Sequence, residues 1–326
     1  VKIYGNILWN GEFRKGTIII KDGVVEEFKK ERDFDLRGTV IPTFINMHTH
    51  IGDFWAKEEP RGGIKEIVGP GGYKYKILRN KRGVYEGMRR AMRYMQKEGI
   101  SHFVDFREGE REGVSLLLEA AKGFNIKPVI FARDVYKESE GLGLSSISDY
   151  DREYISSKVK EAKRNKKLFA IHVSERVRED IDFVLSLHPD FVVHMLEATE
   201  EDLEKIHAAN IPVVLTPRSN LFFGKVPNIP RFLKHNILLA LGTDNGMFSL
   251  PSIFREMEIA YKLSKLYGYV APEEILKMAT INPRKILAIE DNDIGKKARF
   301  IVFKRLMTPY ELVNKSSLLD IKKIIL

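Results

Sequence analysis

His48 and His50 stand one residue apart in IPTFINMHTHIGD, residues 41–53. In an extended strand, residues i and i+2 point to one face, so both imidazoles leave the end of the strand together. Two neutral imidazoles meeting at one point suit zinc, iron or manganese, provided that partners converge on them. Three further side chains have the right chemistry in similar settings: His172 in IHVSE, His194 in VVHM and Asp244 in LGTDN. Asp244 alone would read as a cap for the following helix. Glu175 lies three residues after His172. Beside a metal-activated water it is a proton carrier, and elsewhere an ordinary glutamate of a first helical turn. The chain of 326 residues has no cysteine. That excludes disulfides, thiolate nucleophiles and Cys-type zinc sites, and leaves histidines and carboxylates as ligands.

The elements that must position these groups follow from the hydrophobic period. Residues 1–40 read as short strands separated by Asn10-Gly11 and Asp22-Gly23, strong hairpin signals. From Phe44 onward, short apolar runs alternate with segments of helical period, the pattern of βαβ units. The predicted strands are Phe44–His48, His102–Phe106, Lys127–Ala132, Gly141–Ser145, Leu168–His172, Phe191–His194, Pro212–Leu215 and Ile237–Gly242. Helical stretches such as Tyr85–Glu98, Arg152–Asn165 and Ser252–Tyr267 lie between them. Eight parallel strands with helical crossovers make an α/β fold, a (β/α)8 TIM barrel. After Ile289 the chain returns to strand-like text, with ARFIVFK. The expected organisation is a barrel over 43–288, with a small β domain composed of 1–42 and 289–326. His48 and His50 then end strand one, His172 ends strand five, His194 ends strand six, and Asp244 follows strand eight. All share the C-terminal rim, where barrel active sites lie. His102, His188, His207 and His235 fall at strand entries or in helices and read as structural.

Composition narrows the classes. Hydrophobic residues are 44% and charged residues 30%, a soluble globular balance. No apolar run approaches the roughly 18 residues of a membrane span. The opening residues lack a charged region followed by an apolar one, which predicts no export and a cytoplasmic protein. The formal net charge is +9, compatible with an anionic small molecule. Much of the surplus sits in Lys57–Arg90, with ten Lys and Arg against four Glu. No nucleic-acid-binding motif accompanies the charge, so specific nucleic-acid binding is not expected.

Taken together, INMHTH, IHVSE, VVHM, TPRSNLFFG and LGTDN, in that order, resemble the amidohydrolase superfamily. The branch is that of cytosine, guanine and adenosylhomocysteine deaminases and triazine hydrolases. ATINPRKIL followed by DIGKKARFIVF resembles the stretch by which those enzymes return to a β-sandwich. Two departures bear on chemistry. The chain is shorter than most deaminases of this branch, which implies trimmed substrate loops. No lysine ends strand four, where GLGLSS runs. Members with a carbamylated lysine there use two metals, so one metal is implied here.

The resemblance implies that His48, His50, His172 and Asp244 hold one divalent ion, zinc or iron. Asp244 takes the proton of the activated water, Glu175 protonates a ring nitrogen and the leaving amine, and His194 hydrogen-bonds the attacking oxygen or the substrate. The implied reaction is deamination of an aminated purine, pyrimidine or related heterocycle. The alternatives are hydrolysis of a cyclic amide or of another C–N or C–halogen bond, and a catalytically silent barrel acting as a binding module. The expected ligand is a small molecule: an anion, a nucleobase or a nucleoside. Trp55 could stack on a planar ring, and Arg107 and Arg133 could face an anionic or carbonyl group. Asn220 could shape the pocket, and GPGGYKYK within the basic segment could form a lid.

Overall fold

Asn10-Gly11 and Asp22-Gly23 have positive φ at all four positions, the primed-turn geometry that matches strand twist. They join β1 (Lys2–Trp9), β2 (Glu12–Lys21) and β3 (Val24–Lys29) into an antiparallel meander. β4 (Leu36–Pro42) lies parallel to β1 and runs directly into the second sheet. These and the following contacts come from a computed structural model that describes all 326 residues.

The second sheet contains β5 (Phe44–His50), β6 (Ile100–Arg107), β7 (Lys127–Ala132), β8 (Gly141–Leu144), β9 (Leu168–Val173), β10 (Phe191–His194), β11 (Val213–Leu215), β12 (Leu239–Leu241) and β13 (Asp244–Asn245). Its order is β12-β11-β10-β9-β8-β7-β6-β5-β13, and the pairings are parallel. It is a curled parallel sheet consistent with a TIM-like barrel. The predicted eighth strand is split in two. β12 pairs with β11, and two residues later β13 pairs with β5, the first strand. Gly242 lies in the gap; a Cβ there would stand 2.5 Å from His48 Cβ, so only glycine lets the chain pass.

Inside the curl, Ile45, Met47, Val104, Phe106, Phe131, Phe191 and Val193 form an apolar plug. Outside it, helices pack into a 55-residue cluster. The short α1 (Ile64–Val68) and α2 (Tyr73–Ile77) add no residue to that cluster, whereas α3 (Lys81–Lys97) and α4 (Glu110–Ala121) do. Helix α3 shows why: Val84, Met88, Ala91, Met92 and Met95 recur at helical spacing and are buried.

Near the C-terminus, β14 (Phe300–Phe303) and β15 (Ile321–Ile325) join the first sheet, giving the order β15-β14-β4-β1-β2-β3. Both chain ends thus build one six-stranded sheet. Its alternation is clean. Ile7, Val40, Phe300 and Val302 enter a core of its own, while Leu8, Ile41, Ile301 and Phe303 enter the large cluster shared with the helices. No helix is long and apolar enough to cross a membrane.

Candidate metal centre

The ligand candidates come together at the C-terminal ends of the parallel strands. His48 Nε2 lies 3.1 Å from His172 Nε2 and 3.2 Å from Asp244 Oδ1. His50 Nε2 lies 3.5 Å from the same oxygen. Donor atoms of His48, His50 and Asp244 all lie within 4.8 Å of one another, as do those of His48, His172 and His194 and those of Glu175, His194 and Asp244.

Local backbone irregularities aim them. Met47 and His48 both face the interior, which strict alternation forbids; the β5–β6 register shifts between Asn46 and Thr49 and so turns His48 and His50 inward. At β10, Val193 fills the plug, and His194 follows with φ of 77°. Asp244 has φ of 58°. Positive φ in such residues is costly backbone that surrounding structure must hold.

The hydrogen-bond pattern assigns ring protons. His172 Nδ1 donates to Leu144 O at 2.8 Å, and His50 Nδ1 donates to Phe106 O at 2.9 Å. Each therefore offers a bare lone pair at Nε2. At His194 the pattern is reversed. The Asn220 amide lies 3.3 Å from Nδ1 and can donate to it, and the Thr216 hydroxyl lies 3.2 Å from the same nitrogen. With Nδ1 accepting, the ring proton is on Nε2, which lies 3.5 Å from Glu175 Oε1.

Burial keeps the rings neutral. It pushes His50 and His194 each down to about 4 and His172 well below the usual histidine range. It lowers His48 as well. For Asp244, burial pushes upward, but the hydrogen bond from His48, with the other histidines close by, holds the carboxyl well below the usual range. Burial pushes Glu175 up to about 8. The result is a buried space onto which the Nε2 lone pairs of His50 and His172, the His48 ring and the Asp244 carboxylate converge, beside Glu175, whose carboxyl burial biases towards its protonated form. His48 Nδ1 has no partner. Borderline-soft divalent ions such as zinc fit this nitrogen–oxygen donor set.

The surrounding cavity is about 400 Å³. Its walls include His50, His172, Glu175, His194 and Asp244, together with Lys74, Arg133 and Arg176. Of the substrate-contact candidates, Arg133 lines it. The other three do not. Trp55 packs against α3, where Gly83 makes room for its ring and Gly87 for its backbone and Cβ. Arg107 is 1% exposed and is consumed by Asp105 and Glu108. Asn220 is buried and orients His194.

Sequence reasoning missed three residues that touch the site. Ser219 donates to Asp244 Oδ2 at 2.5 Å. Glu108 Oε1 lies 2.7 Å from His50 Nδ1 and 2.6 Å from Lys74 Nζ. Burial pushes Glu108 up, and the charges of Lys74, His50 and Arg107 override this to hold it well below the usual range. The sequence signal for Glu108 was its place at the end of strand two. For Lys74 there was only its position among many lysines of the basic segment.

The amidohydrolase family model matches residues 39–324. A putative aminohydrolase of Archaeoglobus fulgidus is 37% identical, covering 80% of this chain and 79% of its own length. The 5-methylthioadenosine/S-adenosylhomocysteine deaminase of Pyrococcus furiosus is 26% identical, covering 89% of this chain and 82% of its own. In fold, a variant atrazine chlorohydrolase of Arthrobacter aurescens, complexed with zinc and atraton, aligns with a TM-score of 0.77. That alignment has 14% identity and covers 99% of this chain and 93% of the other. The chain belongs to the amidohydrolase family.

Proposed function

We propose that this protein is a metal-dependent hydrolase that deaminates an aminated purine, pyrimidine or related heterocycle. The observation that carries the reading is the opposed assignment of ring protons: lone pairs from His50 and His172, but an N–H from His194 beside Glu175. A site built only to bind metal has no use for that second pair. The Pyrococcus furiosus deaminase supports the reaction class, and the zinc in the chlorohydrolase supports the cofactor.

His48, His50, His172 and Asp244 would hold one ion, zinc or iron, which would supply Lewis acidity and acidify a water. Asp244 would take a proton from the attacking water on its carboxylate. His194 Nε2–H holds the attacking oxygen. Glu175 delivers its proton to a ring nitrogen, which makes the amine-bearing carbon electrophilic, and then shuttles a proton to the departing amine. The products are the oxo-heterocycle and ammonia. The same reading treats the curled sheet as a (β/α)8 barrel over 43–288, with 1–42 and 289–326 forming a small β-sandwich domain beside it. Among the substrate-contact candidates, Arg133 alone is retained.

The test is ammonia release from a panel of aminated nucleobases and nucleosides by metal-loaded protein. Turnover of at least one member, with one ion per chain by elemental analysis, is expected. Glu175→Gln should abolish turnover and leave bound metal unchanged. Metal lost from that variant would sink the proton-carrier role, and two ions per active chain would refute the single-ion site. Silence across the panel would move the reading to cyclic amides.

A further inference from the structure

Lys74 belongs to the segment that follows β5, yet it is only 3% exposed. Its ammonium pairs with Glu108 Oε1. Residues 57–79 make no other hydrogen bond or ion pair to the chain before residue 56 or beyond residue 81. This buried cation is therefore the one polar tie of the segment to the site, beside the packing of Ile67 and Leu78.

That cation has donors to spare. An ammonium carries three N–H donors and a guanidinium five. Lys74 meets one protein acceptor. Arg133 gives Nη1 to Gly143 O at 2.8 Å and Nη2 to the same Glu108 oxygen at 3.3 Å. Both side chains line the cavity that holds His50, His172 and Asp244. Glu108 also answers Arg107, which shares Asp105. Three cations thus gather on two carboxylates. Asp53, the nearby third acid, is pushed up to about 8 by burial, which weakens its pull on these cations.

The rest of the cavity lining carries both signs, with Lys65 and Arg176 beside Asp149, Glu175, Glu179 and Asp244. Arg176 and Lys65 line it without an ion-pair partner. Glu179, an acid on that wall, is already satisfied by the hydroxyls of Ser146 and Ser148 and the amide of Ser174. Lys74 is buried, and an incoming anion would meet its spare donors. The volume of about 400 Å³ is within the range of pockets that take drug-sized ligands, leaving room for a substituent beyond the ring.

We propose that Lys74 and Arg133, both anchored on Glu108, receive an acidic substituent of the substrate, a carboxylate or a phosphate. The substrate class is then a heterocyclic amine bearing an acid. For the reacting end of the molecule this rests on the deaminase reading; the acid-binding end is independent of it. Because Lys74 comes from the segment after β5, seating the acid also fixes that segment over the cavity.

Calorimetry on the metal-loaded full chain tests it with matched pairs. Adenosine against adenosine 5′-monophosphate reports on phosphate. Methylthioadenosine against 5′-S-(2-carboxyethyl)-5′-thioadenosine reports on carboxylate. In one pair the acidic member should bind at least tenfold more tightly than the neutral one. That preference should fall at least tenfold in Lys74→Met and in Arg133→Gln, and Lys74→Arg should restore most of it. Two independent variants keep the test alive if one fails to fold. Equal binding within both pairs, or a preference untouched by either substitution, overturns the proposal. Ammonia release from the same four compounds separates the two readings. Acidic preference in binding without ammonia overturns deamination alone, whereas ammonia release with equal binding overturns the acid subsite alone.

Discussion

At the scale of single residues, the centre depends on which atom of each ring carries the proton. Backbone carbonyls set this for His50 and His172, and a side-chain amide sets it for His194. Asp244 is oriented in the same manner by the Ser219 hydroxyl at 2.5 Å. Such outer partners typically matter 10–100-fold in metal affinity or activity. Ser219→Ala should therefore lower metal affinity or kcat by about 10–100-fold, with the fold intact by circular dichroism. Metal titration and steady-state rates check this, and an unchanged value for both would show that Asp244 needs no such support. The candidate ligands and their strand-end positions were legible in the sequence because strand ends can be read from hydrophobic runs. What aims them was not. The register shift after Met47 and the positive φ of His194 and Asp244 leave no compositional trace, since neither position is glycine. Ser219 and Glu108 were invisible for a related reason: their partners are remote in sequence.

At the scale of elements, β7 and β10 match their predicted limits, and the other strands differ by a few residues at their ends. The eighth strand was drawn as continuous, and the chain instead leaves the ladder at Gly242 to meet β5. Nothing in an apolar run signals such a break. Connections between elements were less legible still, as Glu98 shows. It follows α3 directly, and its carboxyl accepts from Ser252 Oγ and from Ile253 N at 2.7 Å, at the start of the helix Ile253–Ser264. It is 1% exposed. Burial raises its pKa from 4.5 to about 7, against the opposing effect of those hydrogen bonds. The folded state therefore holds a proton that the unfolded chain has already released between those two pH values. Stability must fall as pH rises through that window, by at most on the order of 3 kcal/mol. Glu98→Gln cannot titrate. The stability of the parent relative to this variant should decline from pH 5 to 7 and level off above, measured by guanidinium unfolding. A difference constant across that range would mean that Glu98 is already ionised in the fold.

At the scale of the molecule, the two sheets are not independent bodies. The large core cluster contains Leu8, Ile41, Ile301 and Phe303 of the six-stranded sheet together with residues of the parallel sheet and its helices. Arg284 pins the junction between them. Its Nε meets Asp291 Oδ1 at 2.6 Å, its Nη1 donates to Thr43 O and Thr280 O at 2.8 Å each, and its Nη2 donates to Thr43 Oγ1 at 2.9 Å. Thr43 is the single residue between β4 and β5, so this one guanidinium grips the crossing from one sheet to the other. Asp291 is 3% exposed. Removing its partner strands a buried charge, which costs about 3–5 kcal/mol. Arg284→Met should destabilise the protein by that amount, and Arg284→Lys by less, since a lysine keeps the charge without the planar fork. The chain has two tryptophans, and they stand on opposite sides of the junction: Trp9 in the core of the six-stranded sheet and Trp55 against α3. Single-tryptophan versions made by Trp9→Phe and Trp55→Phe therefore report on each side separately. With a shared core, both fluorescence transitions should coincide in guanidinium and move together when Arg284 is replaced. If the Trp9 transition runs ahead of the Trp55 transition, the six-stranded sheet unfolds alone, and the common core does not couple the two.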